Sequence, residues 1–149
     1  MGSIRTRTAR TPLQTASLAV GVVFLLVGVL GFIPGVTTDV DQLLFAGHRS
    51  DAMLLGVFEV SILHNIVHLL FGVAGIVLAR TWQGARTFLI GGGAIYLLLW
   101  VYGMLVGHDT AANFVPVNSA DNWLHLILGL GMVALGVALG RRSATRGRL

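Results

Sequence analysis

The 149-residue chain is 55% hydrophobic and only 11% charged, against about 25% charged residues in a soluble domain, which excludes water as its main solvent. It has no cysteine, which excludes disulfides, thiolate metal sites and thiol redox chemistry. The net charge of +4 comes from ten arginines and no lysine, too few and too segregated for a nucleic-acid surface.

The chain opens with a basic tail, residues 1–13, that carries Arg5, Arg7 and Arg10. A first uncharged apolar stretch follows at 16–33 and is expected to end at Pro34-Gly35. Its run of about 18 residues exceeds a signal-peptide h-region and no A-x-A site follows, so it reads as a retained helix. A long loop, 34–60, contains Asp39, Asp41, His48, Arg49, Asp51 and Glu59. Within it, residues 52–58 are apolar but too short to span, and are expected to lie at the interface or fold over the bundle mouth as a short helix. The second stretch, 62–79, has Ser61 as N-cap and stops at Arg80. The third is 87–106. A second loop, 107–120, leads to the fourth stretch, 121–140, capped by Asn118 or Ser119 and stopped by Arg141-Arg142. A basic tail, 141–149, closes the chain. At about 1.5 Å per residue each stretch is long enough for about 30 Å of hydrocarbon. The expected fold is therefore an all-α membrane protein, a four-transmembrane-helix bundle over residues 14–140.

The arginines predict its orientation. Nine of them lie in the two tails and the 80–86 link, and only Arg49 lies on the other side. Both termini are thus expected in the cytoplasm of a bacterium, with the loops outside its plasma membrane. Tyr96, Trp100, Tyr102 and Trp123 are candidates for the outer aromatic belt.

Stretches two and four share a motif. Residues 65–72 read Asn-Ile-Val-His-Leu-Leu-Phe-Gly and residues 122–129 read Asn-Trp-Leu-His-Leu-Ile-Leu-Gly. With a shift of 57, Asn65 matches Asn122, His68 matches His125 and Gly72 matches Gly129. Spacings of three and four put each trio on one helix face. Such polar groups are expensive in lipid, so the stripe is expected to face the bundle interior. Stretches one and three show no comparable match, yet the pattern suggests two duplicated helical hairpins. The resulting expectation is a polar cluster of His64, Asn65, His68, Asp121, Asn122 and His125 in the outer leaflet between spans two and four. Glu59, His108 and Asp109 are loop contributors. In the other half, Gly75, Ala79, Gly91, Gly92, Gly93, Gly136 and Gly140 read as close helix packing.

Three segments carry a family resemblance: Leu63-His64-Asn65-Ile66-Val67-His68-Leu69-Leu70-Phe71-Gly72, Ala111-Ala112-Asn113-Phe114-Val115-Pro116 and Ala120-Asp121-Asn122-Trp123-Leu124-His125. From about residue 14 to 140 the chain resembles the domain of unknown function 4383 family, small four-helix membrane proteins of actinobacteria. The resemblance implies the fold and carries no activity.

The first functional expectation is a structural or accessory membrane protein without a cofactor, its cluster acting as interhelical glue. The alternative is an outward-facing binding protein for a metal, haem or small ligand. His64 and His68, spaced i, i+4, with His125 and Asp121, form a candidate site for zinc or another transition metal. His68 and His125 form a candidate haem pair. An ion or proton pathway is the third reading. No catalytic motif is present, so catalysis is the reading with the weakest support. Its expected partners are the lipid bilayer and, as an option, further copies in a homo-oligomer, but no nucleic acid.

Overall fold

The computed structural model describes residues 9–47, 50–107 and 110–146, with side chains to residue 141. It contains four helices: α1 (Pro12–Leu30), α2 (Ile62–Leu78), α3 (Trp82–Leu105) and α4 (Ser119–Arg146). Three of them, α1, α3 and α4, are long and apolar enough to cross a membrane, whereas α2 has 17 residues and is shorter.

Local chemistry explains the boundaries. α1 begins at Pro12, earlier than residue 16, because Thr11 and Gln14 close a capping box and proline suits the first helical position. Gln14 also donates to the carbonyls of Ala79 and Arg80, at 3.1 Å each, so the start of α1 caps the end of α2. α1 ends at Leu30, before residue 33, because the Thr37 hydroxyl takes the Leu30 carbonyl at 2.9 Å. α3 begins at Trp82 rather than 87, since the Thr81 hydroxyl accepts from the Gly84 amide at 3.0 Å. Arg86 therefore lies on a helix, not in a link, and its side chain packs against Gly140 near the end of α4.

The loop after α1 is a small three-stranded antiparallel sheet rather than a short helix. Its strands are β1 (Thr37–Thr38), β2 (Met53–Leu54) and β3 (Phe58–Glu59), with β2 in the middle. The turn between β2 and β3 places Leu55 at φ 55° and Gly56 at φ 68°. Positive φ at both central positions is the hairpin-turn geometry, and it prevents residues 52–58 from forming a helix. Ala52, Leu54 and Val60 make a separate buried core that also takes in Val27 and Leu30 of α1. The sheet thereby sits on the end of the first hairpin.

The exterior is apolar, and polar side chains are buried in the interior beside an apolar core. Leu70, Leu98, Leu105 and Ile127 are 63–81% exposed. Asn65, His68, Asn122 and His125 are all at or below 8%. This inverts the soluble pattern, in which charged and amide side chains face water. α1 packs along α2 and α3 along α4. Across the hairpins Phe24 of α1 meets Tyr96 of α3 at 5.2 Å, and Phe71 of α2 meets the same ring at 5.6 Å. Tyr96 is thus a core residue at 1% exposure, not part of an aromatic belt. Helices α2 and α4 make at most glancing backbone contact.

A candidate site beneath the loops

The expected six-residue cluster is buried throughout, but it divides into three parts with separate partners. The two asparagines serve the interiors of their own hairpins. A Cβ built on Gly31, the C-cap of α1, would overlap the Asn65 side-chain amide. A Cβ built on Gly103 of α3 would overlap the Asn122 amide in the same way. In each hairpin a glycine at the end of one helix leaves the room that an asparagine from the other fills. The amide oxygens of Asn65 and Asn122 are fully buried and find no N–H or O–H donor among the described residues. What each oxygen faces is the glycine Cα–H, a weak hydrogen-bond donor of the kind common at helix–helix interfaces.

Other close contacts match in pairs. A Cβ on Gly21 would lie 2.9 Å from Ile76 N and 3.0 Å from the Gly72 oxygen. One on Gly93 would lie 2.8 Å from the Gly129 oxygen and 3.0 Å from Val133 N. Leu25 fills the space at Gly72, and Leu97 the space at Gly129. Gly92 packs on Met132 and Gly136 on Ile90, but Gly91 has open space around it and takes no part in packing. The sequence signal for this is a second shift, of 72, which pairs Gly21 with Gly93, Phe24 with Tyr96, Leu25 with Leu97 and Gly31 with Gly103. Most other positions in the two stretches differ, which masks the match.

Asp121 belongs to the loops. Its Oδ2 accepts from the Asn118 amide at 3.0 Å and from the Glu59 amide at 3.2 Å. Asn118 Oδ1 accepts in turn from Asp121 N at 3.0 Å, and Asn118 Nδ2 donates to the Val57 carbonyl at 2.8 Å. The carboxylate thus caps α4 reciprocally and ties it to the sheet. Glu59 enters the site through its backbone. Asp121→Ala is expected to lower unfolding stability by about 1–2 kcal/mol, with Asp121→Asn losing less, because two backbone amides lose their acceptor. Thermal unfolding of the purified variants reads this directly.

The three histidines form the remaining part. His64 and His68 on α2 stack with ring centroids 4.5 Å apart and planes 7° apart. His125 of α4 meets Tyr96 edge-on at 5.3 Å. All three line one cavity of about 30 Å³ with Val67, Tyr96, Leu99, Tyr102, Val115 and Val117. It lies among α2, α3 and the start of α4, so the wide diagonal between α2 and α4 is bridged by side chains. Its roof is the second loop. That loop is held by Asn113, which donates to the Val117 carbonyl and accepts from Val117 N, and by the Tyr102 hydroxyl on the Ala112 carbonyl. The first loop joins it through Gly47 N on the Phe114 carbonyl at 2.7 Å. It also satisfies the start of α2: Leu44 and Phe45 carbonyls accept from Ile62 and Leu63, and the Ser61 hydroxyl accepts from His64 N. The expected loop contributors His108 and Asp109 lie outside the described residues.

Among the described residues no three histidine, aspartate or glutamate side chains converge as a set of metal ligands. The parallel stack of His64 on His68 gives the reason. In-plane lone pairs on parallel rings run side by side, whereas a tetrahedral ion about 2 Å from each nitrogen needs them to converge.

An apolar exterior, glycine-mediated helix contacts and helices of spanning length define a helical protein of the membrane type. The family model described as "Domain of unknown function (DUF4383)" matches residues 14–138, and the chain belongs to that family. No curated protein and no solved structure matches it.

Proposed function

We propose that the chain is a four-span plasma-membrane protein of bacterial type with a structural or accessory role, built from two copies of one helical hairpin. Its buried asparagines and histidines hold the helices together beneath a cap of outer loops. The observation that carries this reading is the use of each asparagine to fill the space over a glycine of its own hairpin, Asn65 over Gly31 and Asn122 over Gly103. Asn65 is wholly buried in this way and Asn122 is 5% exposed. In this reading α2 also crosses. Its 17 residues give about 26 Å of helix, a little short of the hydrocarbon core. Its polar first turns are sheathed by residues 43–45 and 115–117 rather than by lipid. The termini and the Arg80 link then lie in the cytoplasm, as the arginine distribution favours.

Asn65→Ala, Asn122→Ala, His68→Ala and His125→Ala, each purified in detergent and followed by thermal unfolding and metal analysis, test the role. The expected result is a fall in stability for every variant and no stoichiometric metal in any of them. Unchanged stability combined with a bound metal or chromophore lost in both histidine variants would replace the packing role by a binding one.

A further inference from the structure

One glycine of α3 has no use inside the molecule. Gly92 and Gly93 pack against α4, but a Cβ on Gly91 would meet nothing within 4 Å. Glycine in a helix interior weakens the helix relative to alanine, and internal packing gives no reason for it here. Gly91 instead opens a groove of about 260 Å³ on the outside of α3, lined by Arg86, Thr87, Ile90 and Gly91. Spacings of one and four make these residues neighbours on one side of the helix. The polar pair, Arg86 and Thr87, stands at one end, and the apolar pair, Ile90 and Gly91, one turn further along.

The Arg86 side chain is placed by α4. A Cβ on Gly140 would lie 3.2 Å from Arg86 Nε and 3.3 Å from Cδ, so the missing methyl group makes room for the arginine stem beside the end of the apolar stretch Ser119–Arg141. Among the described residues the Arg86 and Thr87 side chains make no hydrogen bond or ion pair. All six acidic residues fall within 39–59 and 109–121, in the loops and the first turn of α4. Arg10, Arg80, Arg86 and Arg141, all exposed, gather at the other end of the helices.

We infer that this groove binds one anionic phospholipid of the inner leaflet, with its phosphate on the Arg86 guanidinium and the Thr87 hydroxyl and an acyl chain across Ile90 and Gly91. The choice of leaflet rests on the topology proposed above. A guanidinium offers phosphate a fork of N–H donors, and an arginine one turn inside a helix reaches headgroup level by snorkelling. The cytoplasmic leaflet supplies anionic headgroups. A second copy of the chain fits the face less well. Both copies would have the same orientation in the membrane, so a twofold contact would set two Arg86 side chains at one depth with no carboxylate between them. A phospholipid brings the counter-charge and the apolar chain together.

Native mass spectrometry of the full chain tests it, after titration in a neutral detergent with phosphatidylglycerol or with phosphatidylcholine of the same acyl chains. The first phosphatidylglycerol is expected to bind about fivefold more tightly, the effect of one arginine at a membrane surface. Arg86→Gln should abolish that preference. Arg80→Gln, which removes the same charge outside the groove, should leave it intact. Gly91→Val fills the groove and should weaken the first phosphatidylglycerol severalfold. Equal binding of the two lipids by the unsubstituted protein would overturn the inference. So would equal effects of Arg86→Gln and Arg80→Gln, the mark of diffuse surface charge, or a dimer that Gly91→Val dissociates in place of bound lipid. The unsubstituted protein and Gly91→Val decide the matter even if Arg86→Gln fails to fold. The titration reads affinity in detergent and does not depend on the direction of crossing, so a wrong topology would show in residue accessibility while the lipid preference stood.

Discussion

Gly21→Val is expected to destabilise the protein by about 3 kcal/mol, the upper end of the range for overpacking a tight interior. A Cβ at Gly21 meets backbone atoms of α2, Ile76 N and the Gly72 oxygen, rather than the far end of a movable side chain. Relief therefore requires α1 and α2 to separate along their length, and separation also breaks the Ser17 hydroxyl bond to the Gly75 carbonyl at 3.1 Å. Gly93→Val should behave alike, since it meets the Gly129 oxygen and Val133 N. Gly91→Val is the control. It has nothing within 4 Å and faces outward, so its effect should stay within about 0.5 kcal/mol, as for ordinary surface substitutions. Thermal or denaturant unfolding in one detergent measures all three. A Gly21 variant no more damaged than the Gly91 variant would mean that the packing described for α1 and α2 is wrong.

The second large effect is at Gly103. Gly103→Ala is expected to cost about 2 kcal/mol, because the new methyl group overlaps the Asn122 amide, whose oxygen is fully buried. Asn122→Ala alone should cost about 1–2 kcal/mol through lost packing. Combined, the two should be less damaging than their sum, since the shortened side chain vacates the space that the methyl group enters. A double-mutant cycle should return a coupling of at least about 1 kcal/mol, as residues in direct contact do. Gly31→Ala with Asn65→Ala is the parallel experiment in the first hairpin. Strict additivity in both cycles would contradict the glycine–asparagine contact.

Much of this fold was legible in the sequence, and particular residues explain what was not. The four apolar stretches, the Ser61 cap and the inward asparagine–histidine–glycine stripe follow from hydropathy and helical spacing alone. Helix ends were misplaced where a side chain reached further than hydropathy indicates. Gln14 extends α1 to Pro12, and Thr81 starts α3 at Trp82. The sheet at 53–59 was hidden because its strands are two residues long and its turn puts a leucine at positive φ. The likeness of α1 to α3 was hidden because it resides in what each residue touches. Gln14 and Arg86 stand at the same shift of 72 and both pack against the end of the partner helix, yet one is a neutral amide and the other a cation. The shift falls to 57 between α2 and α4 because the first loop is longer, and the sheet occupies that length. The six polar residues are buried, but their division among separate partners is not legible in the spacing. Spacing puts His64, Asn65 and His68 on neighbouring parts of a helix. It does not say that Asn65 turns to Gly31 of α1 while His64 and His68 line a cavity with residues of α3 and α4, His68 also meeting Phe24 of α1.

Crossing by α2 is the claim on which the outer cap, the histidine cavity and the twofold hairpin plan all depend. The absence of cysteine makes single-cysteine labelling the direct test. Gln42, Gln83 and Ala111 are exposed and lie before α2, in the first turn of α3, and before α4. With a membrane-impermeant maleimide on intact spheroplasts, Gln42→Cys and Ala111→Cys should label at once, and Gln83→Cys only after permeabilisation. Labelling of Gln83→Cys together with Gln42→Cys from outside, with Ala111→Cys protected, would mean that α2 turns back without crossing, and would contradict the four-span account.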